Sequence, residues 1–169
     1  AALSASQVPW QPTEAIRARG LEPVDPAMIY NFAARSGLPY GPAFCRLLAL
    51  WRSKTEAIGF VALRPQESNQ CGAFTSLHPV LLDCCLQAAS GMLGARADFE
   101  RDCTVEPGLY LPVAAASFRV FGLEANKCDT AWCRVTPPVM GQSGDGHKII
   151  TVDVSVYGQP PSSGQTSAN

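Results

Sequence analysis

The fold is decided by one apolar stretch, PVLLDCCLQAASGML, which occupies residues 79–93. A proline at the first position, followed mostly by apolar and small residues, is typical of a helix that begins at Pro79. Asp83 is the one charged residue of the stretch. The pattern therefore predicts a helix that is buried on nearly all sides.

Further elements are predicted on both sides of this helix. Asp25 followed by Pro26 predicts the start of an earlier helix, and Gly37 predicts its end. Apolar alternation predicts strands before and after the apolar helix, near Phe44–Trp51, Glu56–Leu63, Ala115–Phe121, Thr130–Val135 and Ile149–Tyr157. A mostly antiparallel sheet wrapped around one apolar helix is the economical packing of these pieces, which is an α+β fold.

Proline, glycine and polar residues mark the ends of the folded unit. Residues 1–24 hold three prolines and no sustained period, so they are predicted to be an interdomain linker or lead-in. Residues 25–158 are predicted to form the folded unit, and residues 159–169 a flexible tail. No run of about 18 apolar residues occurs, so no membrane span is predicted.

Composition excludes several classes of function. Of the 169 residues, 47% are hydrophobic and 16% are charged, against a charged share of about 25% in typical domains. The net charge of −1 argues against nucleic acid or an anionic membrane as a partner. The low charge instead favours a surface that another domain covers.

The seven cysteines are spaced without any Cys-x-x-Cys pair. An odd number of cysteines without such pairs predicts neither a disulfide framework nor a zinc site. We interpret them as reduced, mostly buried thiols of a cytoplasmic protein, and no metal is expected.

Asp83 is unusual because it is a charged side chain in an otherwise apolar helix. Burying a charged carboxylate is costly, so a carboxyl group in an apolar pocket is expected to hold its proton near neutral pH. Gln87 lies one helical turn further on the same face and is expected to orient it. An oriented carboxylic acid suits general-acid catalysis. A structural role, in which the helix dipole stabilises Asp83 in an early turn, is the alternative.

The two histidines are weaker candidates. His78 precedes the helix and shares no face with Asp83 by spacing, so a capping or structural role is favoured. His147 lies in a glycine-containing loop and is expected to be solvated.

Two motifs carry a resemblance to a known family. LPYGPAF at residues 38–44, followed by LHPVLLDCCLQ at residues 77–87, resembles the dehydratase domain of modular polyketide synthases and of animal fatty acid synthase. Residues 108–112, GLYLP, are also similar to a Leu-Pro segment of that family, although the aromatic residues that usually follow are absent. The resemblance covers roughly residues 22–158.

The resemblance implies a double hotdog fold, of which this chain is the C-terminal hotdog. It implies that Asp83 is the catalytic acid toward the departing β-hydroxyl group and that Gln87 supports it. The remaining residues that it implies contact substrate are Tyr40, Gly41 and Pro42 in the first motif, and Leu111 and Pro112 along the acyl channel.

One part of the family's site has no counterpart in this sequence. The family's catalytic histidine belongs to a motif of the N-terminal hotdog, which nothing in this sequence matches. The resemblance therefore implies that the N-terminal hotdog is a required partner and that the isolated chain is inactive. It also implies that the 3-hydroxyacyl substrate arrives on the phosphopantetheine of an acyl carrier protein, and that this domain binds no cofactor of its own.

Other partners and functions stay open at this point. Other domains of a multifunctional synthase are expected partners, and a second copy of this chain is the alternative cover for its apolar surface. The alternative functions are a product-template-type cyclisation domain, a catalytically inactive dehydratase-like scaffold, and a free thioesterase or single-hotdog dehydratase.

Overall fold

The structure, a computed structural model, describes residues 12–64, 77–93, 112, 114–117, 128–136, 139–142, 144 and 148–159. In chain order, the helices in these ranges are α1 (Pro12–Arg19), α2 (Pro26–Arg35) and α3 (Pro79–Leu93). The strands are β1 (Glu22–Val24), β2 (Leu47–Arg52), β3 (Ala57–Ala62), β4 (Thr130–Val135), β5 (Val139–Gln142), β6 (Lys148–Thr151) and β7 (Val154–Gln159).

Five of the strands form one sheet around α3. The strand order is β1-β2-β3-β4-β7, and each neighbouring pair is antiparallel. Helix α3 packs against β2, β3, β4 and β7. The predicted antiparallel sheet wrapped around one apolar helix is confirmed, as are the bounds Pro79–Leu93 and Thr130–Val135.

A glycine allows α3 to lie close to the sheet. A Cβ atom on Gly59 would lie 2.8 Å from Cys133 Sγ and 3.1 Å from Cβ of Ala88, which is a residue of α3. Glycine at this position therefore lets strand and helix meet in a core that includes Leu81 and Val61, both fully buried. Interiors packed at this density leave no room for an added methyl group without movement.

The predicted start of α2 is also confirmed. Asp25 Oδ1 accepts a hydrogen bond from the Ala27 backbone nitrogen at 2.9 Å, which satisfies a donor that the helix itself leaves unpaired. Gly37 follows the helix with φ of 89°, a conformation that favours glycine.

Residues 12–24, part of the predicted interdomain linker or lead-in, contain regular secondary structure. Helix α1 lies within them, and β1 pairs with β2 along the sheet edge. The reason is a tertiary contact: Arg19, at the end of α1, binds Glu56 at the start of β3. The folded unit therefore begins before residue 25.

The single strand predicted over Ile149–Tyr157 is also wrong. The chain forms β6 and β7 instead, with β6 paired to β5 in a separate two-stranded sheet and β7 paired to β4. Between them, the backbone of Asp153 bonds to Thr136, whose Oγ1 accepts from the Asp153 nitrogen at 3.2 Å. These hydrogen bonds take the place of strand pairing at Asp153, so the predicted strand is divided in two.

The predicted strand Ala115–Phe121 is only partly described. Residues 115–117 are exposed and do not form a strand, and residues 118–121 lie outside the described ranges. The cysteines in the described ranges are free thiols, and four of them are buried. Within the same ranges, no helix has both the length and the apolar character needed to cross a bilayer.

Candidate active site

The structure brings Asp83 and Gln87 together on α3. Gln87 Nε2 donates a hydrogen bond to Asp83 Oδ2 at 2.8 Å. This contact confirms the one-turn spacing argument, since residues four apart are neighbours on a helix. Gln87 is 3% exposed, so its amide is a buried support for the carboxylate.

A backbone carbonyl holds the same amide from the other side. The Phe44 oxygen accepts Gln87 Nε2 at 3.1 Å and the Cys84 thiol at 3.2 Å. Because both neighbours of the Gln87 amide nitrogen are acceptors, the amide must present its nitrogen to them. Its own oxygen, Oε1, is buried and has no hydrogen-bond partner among the described residues.

One side of α3 remains partly exposed. Leu82, Asp83, Leu86 and Ser90 are half-buried, and their spacing places them on one face of the helix. The expectation of a helix buried on nearly all sides is wrong for this face, because the five-stranded sheet wraps the other side. The Asp83 side chain is therefore within reach of a ligand.

Tyr40 is half-buried beside this carboxylate. Burial raises the pKa of the Tyr40 phenol, and the negative charge of Asp83 raises it further. The phenol therefore stays protonated at neutral pH and can donate a hydrogen bond. Its ring packs edge-on against Tyr30, with ring centroids 6.0 Å apart.

Gly41 and Pro42 form the turn that carries Tyr40. The Phe44 nitrogen donates to the Gly41 oxygen at 2.9 Å, and Arg64 Nη2 donates to the Pro42 oxygen at 2.9 Å. Both residues are exposed, and their observed contacts shape the turn. The turn extends through Phe44, so β2 begins at Leu47 and not at the predicted Phe44.

His78 caps α3. Its Nδ1 accepts a hydrogen bond from the Val80 nitrogen at 3.1 Å, and the residue is 6% exposed. The capping role predicted for it is confirmed. His147 and Leu111 lie outside the described residues, and Pro112 is exposed, so the acyl-channel role of Leu111 and Pro112 stays a prediction.

Sequence reasoning missed three contributors to the site. Tyr30 packs on Tyr40, and its hydroxyl oxygen accepts from the Leu47 nitrogen at 3.0 Å. Burial raises the pKa of the Tyr30 phenol well above its ordinary value. The Phe44 carbonyl and the Cys84 thiol were the others. An aromatic residue on α2 was a weak signal for Tyr30, whereas a backbone carbonyl leaves no trace in sequence.

Two groups of this site are suited to proton transfer and hydrogen bonding. Asp83 is oriented by a neutral amide, and a protonated phenol lies nearby. Such a pair can give a proton to a leaving oxygen and hydrogen-bond it. In the described part of the chain, no three metal-ligating side chains cluster to hold a metal ion.

Comparison with protein families places the chain in a class. Residues 10–160 match the model of the family described as "Polyketide synthase dehydratase N-terminal domain". The match covers most of the chain, so the chain belongs to the polyketide synthase dehydratase family.

Curated relatives are parts of large polyketide synthases. The chain is 37% identical over 101 residues to the pikromycin polyketide synthase component PikAII of Streptomyces venezuelae, a match that covers 60% of this chain and 3% of that protein. It is 31% identical over 167 residues to the polyketide synthase GfsB of Streptomyces halstedii, with 94% of this chain and 3% of that protein covered.

Solved structures of dehydratase domains share the fold. The dehydratase domain of RzxB from Pseudomonas fluorescens superposes with a TM-score of 0.60 at 22% identity, covering 92% of this chain and 48% of that chain. The dehydratase domain from the terminal module of the rifamycin polyketide synthase gives 0.52 at 28% identity, covering 83% of this chain and 47% of that chain. The chain thus has the hotdog fold of these domains and spans about half their length.

Proposed function

We propose that this chain is the C-terminal hotdog half of a polyketide synthase dehydratase and removes water from a 3-hydroxyacyl thioester. The observation that carries the proposal is the Asp83 carboxylate, held by Gln87 at 2.8 Å on the partly exposed face of the central helix.

In the proposed reaction, this chain supplies the proton donor and the N-terminal hotdog supplies the base. A base removes the proton from the α-carbon of the thioester, and its electron pair forms the α,β double bond. The bond from the β-carbon to the hydroxyl oxygen breaks, and the Asp83 carboxyl group is the proposed donor of the proton that this oxygen takes up, so that water leaves. We assign the Tyr40 phenol as a hydrogen-bond donor to the same oxygen.

The assignment to the C-terminal half has two supports. The chain spans about half of the solved dehydratase domains, and it carries the Asp83 and Gln87 pair that the resemblance assigns to the C-terminal hotdog. The family description names the N-terminal domain, so the position within the double hotdog belongs to the proposal and not to the match. The acyl carrier protein and the N-terminal hotdog are the proposed partners.

Mass spectrometry of a 3-hydroxyacyl pantetheine thioester tests the proposal. The chain is assayed alone, and then mixed with the separately made N-terminal hotdog of the same synthase. We expect loss of water only in the mixture, and its disappearance with Asp83→Asn.

Two results would overturn the proposal. Turnover by this chain alone, above a control without protein, would mean that the base is in this chain. A mixture that associates on a sizing column but leaves the thioester unchanged would favour the inactive scaffold.

A further inference from the structure

One carbonyl oxygen links the turn after Tyr40 to helix α3. Phe44 O, at the end of the turn, accepts from two side chains of the helix, Cys84 at 3.2 Å and Gln87 at 3.1 Å. These two residues lie three positions apart, so they are neighbours on one helix face. A carbonyl oxygen has two lone pairs, and both are used here.

The Gln87 amide has few other restraints. Its Oε1 atom makes no hydrogen bond to the described residues, although the side chain is buried. The direction of its nitrogen is therefore set by the two acceptors between which it lies, Asp83 Oδ2 and Phe44 O. Movement of the carbonyl would move the amide, and with it the hydrogen bond to the carboxylate.

Cys84 is suited to hold that carbonyl. It is fully buried, and burial raises the pKa of its thiol to about 12. The thiol therefore keeps its proton at neutral pH and remains a donor. Its neighbour Cys85 is equally buried but contacts Cys133 on the core side, so two adjacent cysteines have different surroundings.

We infer that Cys84 is a positioning residue, whose thiol fixes the Phe44 carbonyl and thereby the direction in which Gln87 presents its amide to Asp83. The inference rests on the proposed role of Asp83 in dehydration. Cys84 acts through two other groups and touches no substrate.

Four variants separate the hydrogen bond from the volume of the side chain. Cys84→Ser keeps a donor, Cys84→Val fills the space without one, and Cys84→Ala removes both. Cys85→Ala is the matched control, because it truncates an equally buried cysteine one position further along.

The first readout requires no catalysis. Nitrogen–proton NMR of this chain follows the side-chain amide of Gln87. We expect its resonances to shift in Cys84→Val and Cys84→Ala, and to remain near their wild-type positions in Cys84→Ser and Cys85→Ala. If Cys84→Ala does not fold, Cys84→Val decides the comparison.

The second readout is turnover by this chain mixed with the N-terminal hotdog. Loss of one hydrogen bond predicts a fall in kcat of about fivefold for Cys84→Val with KM unchanged, and recovery in Cys84→Ser. Unchanged Gln87 resonances and kcat in Cys84→Val would overturn the inference, as would an equal loss in Cys84→Ser or Cys85→Ala.

Asp83→Asn in the same assay separates the two proposals. If Asp83→Asn turns over substrate normally, the proposed function has failed. If Asp83→Asn is inactive while Cys84→Val behaves as wild type in both readouts, the inference about Cys84 alone has failed.

Discussion

Two carboxylates of this molecule, Glu56 and Asp83, are held in opposite ways. Glu56 accepts from Arg19 Nη1 at 2.8 and 2.6 Å and from Arg134 Nε at 2.7 Å, and its side chain is 6% exposed. Asp83 accepts from the uncharged amide of Gln87 and is half-buried.

The difference separates Glu56, whose partners stabilise the fold, from Asp83, which we propose takes part in catalysis. Burial alone would raise the pKa of Glu56, but the hydrogen bonds and charges of the two guanidinium groups outweigh it and lower that pKa. Glu56 is thereby fixed in its ionised form and joins α1 to the sheet. The group that holds Asp83 is a neutral amide, which brings no positive charge to the carboxylate.

The sharpest test of the comparison is Asp83→Asn. We expect dehydration by the complete dehydratase to fall by about a hundredfold or more, because a general acid typically contributes that much. Thermal unfolding of the variant should stay close to that of the wild type, since an amide of the same shape replaces a partly exposed carboxylate. A large drop in melting temperature would assign Asp83 to structure.

Glu56→Gln should show the reverse pattern. Loss of the charged hydrogen bonds is expected to lower the free energy of unfolding by about 2 kcal/mol, while kcat is retained. Urea denaturation measures the change, and Glu22→Gln, an exposed glutamate on the neighbouring β1, is the matched control. Equal stability of the two variants would contradict the structural role.

The pH dependence of stability gives an independent check. The pKa of Glu56 is lowered in the folded state, so its contribution is complete above the unfolded-state value of about 4.5 and is lost as the pH falls through the folded-state value. The stability difference between wild type and Glu56→Gln should therefore be constant near pH 7 and shrink below pH 4.5. A difference that grows in acid would have the wrong sign.

Tyr40→Phe is expected to have the smallest effect. Removing the phenol beside Asp83 should lower kcat by about fivefold through the loss of one hydrogen bond in the transition state. Tyr30→Phe is the control, because it removes a hydroxyl from the other ring of the pair, one that accepts from the Leu47 backbone nitrogen. Similar losses in both variants would indicate that ring packing, and not the Tyr40 hydroxyl, matters.

Local signals in the sequence predicted much of the fold. Asp25 and Pro26 mark the start of α2 by capping chemistry, and the apolar run from Pro79 defines α3. These features depend on neighbours in the chain, which sequence reasoning can read. Helix α1 lacks an apolar face and is held by Arg19 binding to Glu56, which is 37 residues away, so its sequence resembled a linker.

The features of the candidate site also fall into two groups, those that the sequence predicted and those that it did not. The pair Asp83 and Gln87 follows from helical spacing and was predicted. The Phe44 carbonyl was not, because every residue has a carbonyl and its use depends on where the turn lies in space. The half-exposed face of α3 was also missed, since an apolar sequence does not tell which side the sheet leaves uncovered.

The bond between Phe44 and Gln87 has a consequence for how the molecule folds. It joins residues 43 positions apart, and closing a loop of that length costs about 3 kcal/mol of chain entropy. One hydrogen bond cannot offset that cost, so the contact forms only once strands β2 and β3 have already packed on α3. The geometry around Asp83 therefore depends on the tertiary packing of the strands on α3, and not on the helix alone.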